Sequence, residues 1–348
     1  MSSLVDFVSR LSAGQDLSPQ DVGTAALRLI DVTVPDADKA DFLRALARKG
    51  ETASELAAFA KIFREKAIDP GFQEFAPGAI DVVGTGGDKA GGFNISTLVV
   101  FTLASLGVPV MKHGNRGVTS KCGSADLFAA LGVNLEAPPE LARKAMRELG
   151  YVFFFAQAYH PTFKVIGPVR KALAAEGQRT VFNVLGPLVN PGRPAHVLLG
   201  VFAKSWVPRM AEALDLLGVD AALAAHGNLD DDRGIDELTT STPNIVRGAG
   251  RLRDVNAVWS GRDYGFVETP FEHLQGGDLA TNLAIVEAVL AGHGPQGLVD
   301  TIVFNAGAAL WITRRVASVR EGTALAREHL LGGKVKAKIA ATREFYAA

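Results

Sequence analysis

Beyond residue 75 the chain alternates short apolar runs with longer stretches whose apolar residues recur at helical spacing. Residues 80–83, 108–111, 151–155, 197–201 and 221–225 are almost continuously apolar, the pattern of strands covered on both faces in a parallel sheet. Helices opening near Ser96, Ser124, Pro139, Ser205 and Thr281 would supply the crossovers, which are right-handed as a rule. Before residue 75 the pattern is helical. Ser18-Pro19-Gln20-Asp21 offers a cap, a proline at the first helical position and an early acid, and Thr52-Ala53-Ser54-Glu55 matches a capping box. Leu56, Phe59, Ala60 and Phe63 then share one helix face. Residues 69–78, rich in proline and glycine, read as a linker. Residues 160–192 look helical and interrupt the alternation. The expected fold class is α/β, a mostly parallel central sheet flanked by helices, with a smaller all-helical N-terminal domain.

Composition narrows the function more than the fold. With 36 basic and 37 acidic residues, a formal net charge of −1, the chain has no general attraction to nucleic acid. Its longest apolar run, residues 98–111, is broken by Thr102, Ser105, Gly107 and Pro109 and falls short of the roughly 18 residues a membrane helix needs. The N-terminus lacks a signal pattern, and Cys122, the single cysteine, cannot form an internal disulfide, so a cytoplasmic location is expected.

Candidate chemistry gathers where apolar runs end. Gly84-Thr85-Gly86-Gly87-Asp88 and Asn94-Ile95-Ser96-Thr97 link the first run to an apolar helix through glycines, one carboxylate and hydroxyls. Helix N-terminal amides without partners carry partial positive charge, and glycine lets an anion reach the backbone, so the segment reads as a phosphate cradle. A loop that merely turns is the competing reading. After the second run, residues 112–126 carry Lys112, His113, Arg116 and Lys121 among glycines and hydroxyls, at the strand edge where ligands of open α/β sheets bind. After the fifth run comes an acidic stretch. Asp230, Asp231 and Asp232 read as a solvated loop, whereas Asp236-Glu237 lies between apolar Ile235 and Leu238 and suits Mg²⁺, which takes one or two carboxylates plus phosphate oxygens.

The ordered set GTGGD, NIST, KHGNR, GSAD, HPxxKxxxPVR, RTVFNxLGPLxNP and the Asp-Glu pair resembles the anthranilate phosphoribosyltransferase family across nearly the whole chain. The resemblance implies a nucleoside phosphorylase/phosphoribosyltransferase-like fold. Residues 1–75, completed by residues 160–192, would form the helical domain, and residues 76–159 and 193–348 the α/β domain that binds phosphoribosyl pyrophosphate. It implies transfer of the phosphoribosyl group to anthranilate in tryptophan biosynthesis, with Mg²⁺ as cofactor and a homodimer as the assembly. Carried over by motif, the donor would meet Gly84, Gly87, Asp88, Asn94, Ser96, Thr97, Lys112, His113, Gly114, Asn115, Arg116, Thr119, Ser120 and Ser124. Lys112 would offer a mobile charge. The acceptor would meet Gly84, Asn115, His160, Arg170 and Pro187, and Ser96, Asp236 and Glu237 would hold metal. Guanidinium suits the anthranilate carboxylate because its planar fork matches two oxygens, although Arg170 could instead flank its helix as a solvated cation, and His160 could be structural. No nucleophilic residue is required, so no side chain is assigned one.

Three departures bear on activity. Gly92 stands where the family commonly has a donor-binding hydroxyl, the 171–178 spacer after Arg170 is longer than usual, and the loop 228–234 is extended. The readings in competition are the same transfer to another aromatic acceptor, a pyrimidine nucleoside phosphorylase, and a nucleic-acid-binding relative.

Overall fold

A computed structural model describes residues 3–87, 90–117, 121–230 and 233–348. Helices α1 (Leu4–Ser12), α2 (Pro19–Leu29), α3 (Asp36–Lys49) and α4 (Ala53–Glu65) form an N-terminal bundle. Ser3, Ser18 and Thr52 open α1, α2 and α4 with reciprocal capping boxes, which satisfy first-turn amides. Phe7, Phe42, Phe59 and Phe63 meet in succession along the bundle's interior, with ring centroids 6.2–6.5 Å apart.

A 3₁₀ turn at Ala76–Gly78 leads into β1 (Ile80–Gly84), α5 (Ile95–Ser105), β2 (Val110–Gly114), α6 (Ser124–Ala130), α7 (Pro139–Leu149) and β3 (Tyr151–Phe155). Helices α8 (Ala156–Tyr159), α9 (Phe163–Ala175) and α10 (Phe182–Leu185) then interrupt the alternation. Ile166, Val169 and Leu173 of α9 belong to the same buried cluster as the N-terminal helices. The chain returns through β4 (His196–Gly200), α11 (Val207–Leu216), β5 (Ala221–Asn228), β6 (Gly234–Ile235), β7 (Asn244–Gly250) and β8 (Asn256–Trp259). Helices α12 (Leu279–Leu290), α13 (Gln296–Ile312), α14 (Val319–Leu331) and α15 (Lys334–Ala347) complete it.

Among the described residues the sheet order is β3-β2-β1-β4-β5-β7-β8, with β6 also on β5. Strands β3 to β5 are parallel, and β6, β7 and β8 are antiparallel. The parallel strands follow the apolar runs to within two or three residues at each end. Strand β2 starts and ends later than its apolar run, because Lys112 and His113 are drawn into the sheet by buried partners described below. The helix expected near Ser205 starts at Val207, after a 3₁₀ turn at Lys204–Trp206. Strands β7 and β8 carry no clear alternation: Arg247, Gly248 and Gly250 interrupt one, and three of the four residues of the other are exposed. Helix α13 is buried along nearly its whole length, as its all-round apolar sequence demands.

Candidate functional site

The site forms at the carboxyl edge of the parallel strands. Gly84 of β1 and Gly200 of β4 are register partners, and the Asp236-Glu237 segment lies on both. A Cβ at Gly84 would overlap the Asp236 carboxylate, and one at Gly200 would overlap the Asp236 carbonyl. The two glycines therefore make a flat seat for the acidic pair. Ile235 and Leu238, both buried, anchor its flanks, and the Asn305 side chain on α13 bonds both the amide and the carbonyl of Leu238. Asp236 Oδ2 accepts the Gly86 amide at 2.7 Å. Gly86 and Gly87 have φ of 67° and 76°, the region glycine enters without a Cβ penalty. Arg179 donates from Nη2 to the Gly87 carbonyl at 3.2 Å and stacks 4.0 Å over Phe202.

The second loop is braced from within. Asp81, fully buried on β1, accepts from Asn190 Nδ2 at 2.8 Å and from the His113 amide at 3.3 Å. Burial pushes its carboxyl up to about 6, with nearby Lys112 opposing. Lys112 is itself buried and donates to the His113 carbonyl at 3.0 Å. Burial pulls its ammonium down, while Asp81, Glu237 and Asp236 favour the charge. The sequence placed Lys112 in an open loop; in the structure its side chain is buried in β2.

Past β2, the Asp126 carboxylate gathers the loop by accepting from the amides of Gly117 at 3.3 Å and Gly123 at 3.0 Å. Arg116 also pairs with Asp126, at 2.9 Å, with its guanidinium 5.6 Å from the Phe155 ring centroid. Ser124 opens α6 against Gly114, where a Cβ would stand 2.7 Å from Ser124 Oγ. Asn115 Oδ1 accepts from the Arg116 amide at 2.9 Å and Gln157 Nε2 at 3.3 Å. At the start of α5, Asn94 ties the loops together: its Nδ2 donates to the Cys122 carbonyl at 3.2 Å and its Oδ1 accepts from Asn282 at 3.0 Å. Ser96 is 8% exposed and Thr97 fully buried, the latter with a hydroxyl that has no hydrogen bond among the described residues.

The acceptor-side residues form an aromatic file joined to the second loop. His113 meets His160 at 5.3 Å, His160 stacks on Phe163 at 5.0 Å, Phe163 meets Phe182 at 5.6 Å, and the Arg170 guanidinium lies 5.0 Å over Phe182. His113 Nδ1 is 3.1 Å from the Gly186 carbonyl, beside buried Pro187. Its Nε2 and both His160 ring nitrogens are buried without a well-formed hydrogen bond among the described residues. Burial, with His160 opposite, holds His113 well below the ordinary range, and burial pulls His160 down to about 4. Both rings are therefore neutral near pH 7. Arg170 has no ion pair among the described residues, and burial alone lowers its pKa.

Asp88, Thr119 and Ser120 lie outside the described residues, as do Asp231 and Asp232. Asp230 pairs with Arg233 at 2.7 Å on an exposed turn. Pattern reading missed Asp81, Asn190, Arg179, Asn282 and Asn305 as parts of the site. Asp81 carried a signal as the one polar residue of an apolar strand, and Arg179 and Asn190 lie within the RTVFNxLGPLxNP motif.

Comparison with known proteins agrees with this geometry. Residues 5–67 match the glycosyl transferase family helical bundle domain, and residues 76–336 the glycosyl transferase family a/b domain. The anthranilate phosphoribosyltransferase of Roseiflexus sp. (strain RS-1) is 41% identical over 96% of this chain and 95% of its own. That of Deinococcus radiodurans is 42% identical over 94% of each. The solved anthranilate phosphoribosyltransferase of Thermus thermophilus superimposes with a TM-score of 0.85 at 36% identity, covering 99% of this chain and 100% of its own. The Saccharomyces cerevisiae enzyme in complex with PRPP and Mg shares the fold, with a TM-score of 0.84 at 23% identity over 99% of this chain and 98% of its own. Motif order, site geometry and these likenesses together make the chain a phosphoribosyl-transferring enzyme that belongs to the anthranilate phosphoribosyltransferase family.

Proposed function

We propose that the aromatic file ending in Arg170 is the acceptor cleft and that the glycine seat with Asp236-Glu237 is the donor site. The enzyme transfers the 5-phosphoribosyl group of phosphoribosyl pyrophosphate to the anthranilate amine, giving N-(5-phosphoribosyl)anthranilate and pyrophosphate in tryptophan biosynthesis. The observation that carries the residue assignment is Arg170: a largely buried guanidinium over an aromatic wall, with no ion pair among the described residues. That is the complement of a planar aromatic carboxylate.

The bond from ribose C1 to the pyrophosphate oxygen breaks as the anthranilate nitrogen bonds to C1, and the amine then loses its proton. Negative charge grows on the leaving oxygens while the ribose becomes oxocarbenium-like. Lys112 and the glycine loop that follows β1 supply positive potential on that side, where such preorganised charge is worth most. Asn94, Ser96, Thr97, Gly114, Asn115, Arg116, Ser124, Asp88, Thr119 and Ser120 complete the donor loops, and His113, His160 and Pro187 wall the acceptor. An arylamine is neutral at pH 7, so attack needs no strong base. Among the described residues there is no cluster of three or more His, Cys, Asp or Glu that could hold a metal. The Asp236-Glu237 carboxylates on one side and the Ser96 hydroxyl on the other offer oxygen donors, which suit Mg²⁺ ions completed by substrate oxygens and water. One Mg²⁺ held by Ser96 and a second held by Asp236 and Glu237 would neutralise charge on the departing pyrophosphate.

The division into a helical domain of residues 1–75 and 160–192 and an α/β domain of residues 76–159 and 193–348 belongs to the same reading, as do homodimerisation and a cytoplasmic location. The described residues contain no helix long and apolar enough to cross a membrane. The test is the loss of anthranilate fluorescence on mixing protein, anthranilate, phosphoribosyl pyrophosphate and Mg²⁺. Loss that requires both donor and metal supports the reading; donor binding without turnover of anthranilate would refute it in favour of another acceptor.

A further inference from the structure

A cavity of about 620 Å³ opens at the opposite, amino-terminal edge of the sheet. Its walls include Lys61 and Arg64 from α4, Pro77 and Arg193 from the two segments that run between bundle and sheet, and Leu216 and Val219 from the end of α11. These residues lie before the first residues of β1, β4 and β5, whereas Gly84, Gly200 and the acidic pair lie beyond their ends. Five residues of strand, roughly 13 Å or more, separate the two sites.

The cavity wall carries more cations than anions, Lys61, Arg64 and Arg193 against Glu65, and Asp81 behind Arg64 favours its charge. Among the described residues Lys61, Arg64 and Arg193 form no ion pair, and Glu65, which also lines the cavity, forms none with them. Arg64 Nε donates to the Leu188 carbonyl at 2.6 Å, and its terminal nitrogens make no further hydrogen bond among the described residues. Arg193 Nη2 reaches the Arg64 backbone carbonyl at 3.4 Å, and both residues line the cavity. Burial and this neighbour pull Arg64 down to about 10. Arg193 also has φ of 49°, a left-handed backbone that costs a residue with a Cβ roughly 1–2 kcal/mol. Such strain persists where the surroundings impose it, often at ligand sites. The remaining wall is apolar, and Leu216 is 57% exposed to it and to solvent.

We propose that this cavity is a second binding site, for a small organic carboxylate with an apolar body, the carboxylate between Arg64 and Arg193 and the body against Pro77, Leu216 and Val219. A guanidinium pair matches a carboxylate by charge and by fork geometry. An inorganic anion would leave the apolar wall wet, and the volume falls within the range of small-molecule sites, roughly 300–1,000 Å³. Because both crossing segments line the cavity, an occupant ties the helical bundle to the sheet.

The probe is 4-fluorophenylacetate, titrated by fluorine NMR into the full chain carrying Arg170→Ala, so that the acceptor cleft does not contribute. Saturable binding at millimolar concentration is expected, weakened roughly tenfold or more by adding Arg193→Asn, since a charge-assisted hydrogen bond is lost. Asparagine tolerates the left-handed backbone, and equal melting temperatures of the two proteins check that the fold is intact. No saturable binding, or binding unchanged by Arg193→Asn, overturns the proposal.

Discussion

Gly200 sits directly beneath the Asp236 peptide: a Cβ there would overlap the Asp236 carbonyl oxygen and stand 3.0 Å from the Glu237 amide nitrogen. Both obstacles are backbone, so no side-chain rotation relieves the clash. Gly200→Ala should lift the acidic pair off the sheet, destabilise the fold by about 1–3 kcal/mol and raise the Mg²⁺ concentration needed for half-maximal rate. Urea unfolding and initial rates across a Mg²⁺ series measure the two effects; an unchanged metal dependence would count against Asp236 and Glu237 as metal holders.

Arg170 tests the acceptor cleft. Arg170→Ala removes a bidentate charge-assisted pair worth about 1.5–3 kcal/mol, so the anthranilate KM should rise roughly tenfold to a hundredfold while the donor KM holds. Arg170→Lys should recover only part of the loss, because an ammonium lacks the planar fork. Steady-state kinetics with each substrate varied decides it.

The buried ionisable groups oppose one another in pH. Asp81, raised from 3.8 to about 6, holds its proton more tightly folded than unfolded, so its contribution to stability is present below about 4 and is lost as pH rises to about 6. His160, lowered from 6.5 to about 4, does the reverse: its contribution is present above about 6.5 and is lost as pH falls to about 4. Asp81→Asn should therefore make stability climb more steeply between pH 4 and 6 than in the unsubstituted protein, and His160→Gln should flatten the climb. Thermal unfolding across that window gives both slopes.

Gly92 leaves room for the hydroxyl that the family commonly places there. A Cβ at Gly92 would meet nothing closer than the Leu274 carbonyl oxygen at 3.8 Å, and its φ lies outside the left-handed region. Gly92→Ser should lower the donor KM about twofold to tenfold, the value of one hydrogen bond of 0.5–1.5 kcal/mol. A KM unchanged or raised would mean that water already fills the role or that the hydroxyl points elsewhere.

By itself the sequence determined whatever rests on local pattern. The parallel strands β1 to β5 follow their apolar runs, and Ser18 and Thr52 cap the helices they were expected to cap. The glycine loops fall at strand ends because turn chemistry and strand termination are encoded by neighbouring residues. Tertiary structure decided what depends on residues far apart in the chain. Asp236 reaches the Gly86 amide across 150 residues, and Asn190 reaches Asp81 across 109. Lys112 looked like a loop cation and became a buried one, with Asp81 and the acidic pair favouring its charge against burial. Strands β7 and β8 escaped notice because an edge pair takes its hydrogen bonds from the existing sheet and needs no strong alternation of its own. Arg64 and Arg193, which line one cavity, are likewise 129 residues apart. Only folding brings such groups within a few ångströms, where charge and desolvation decide what they do.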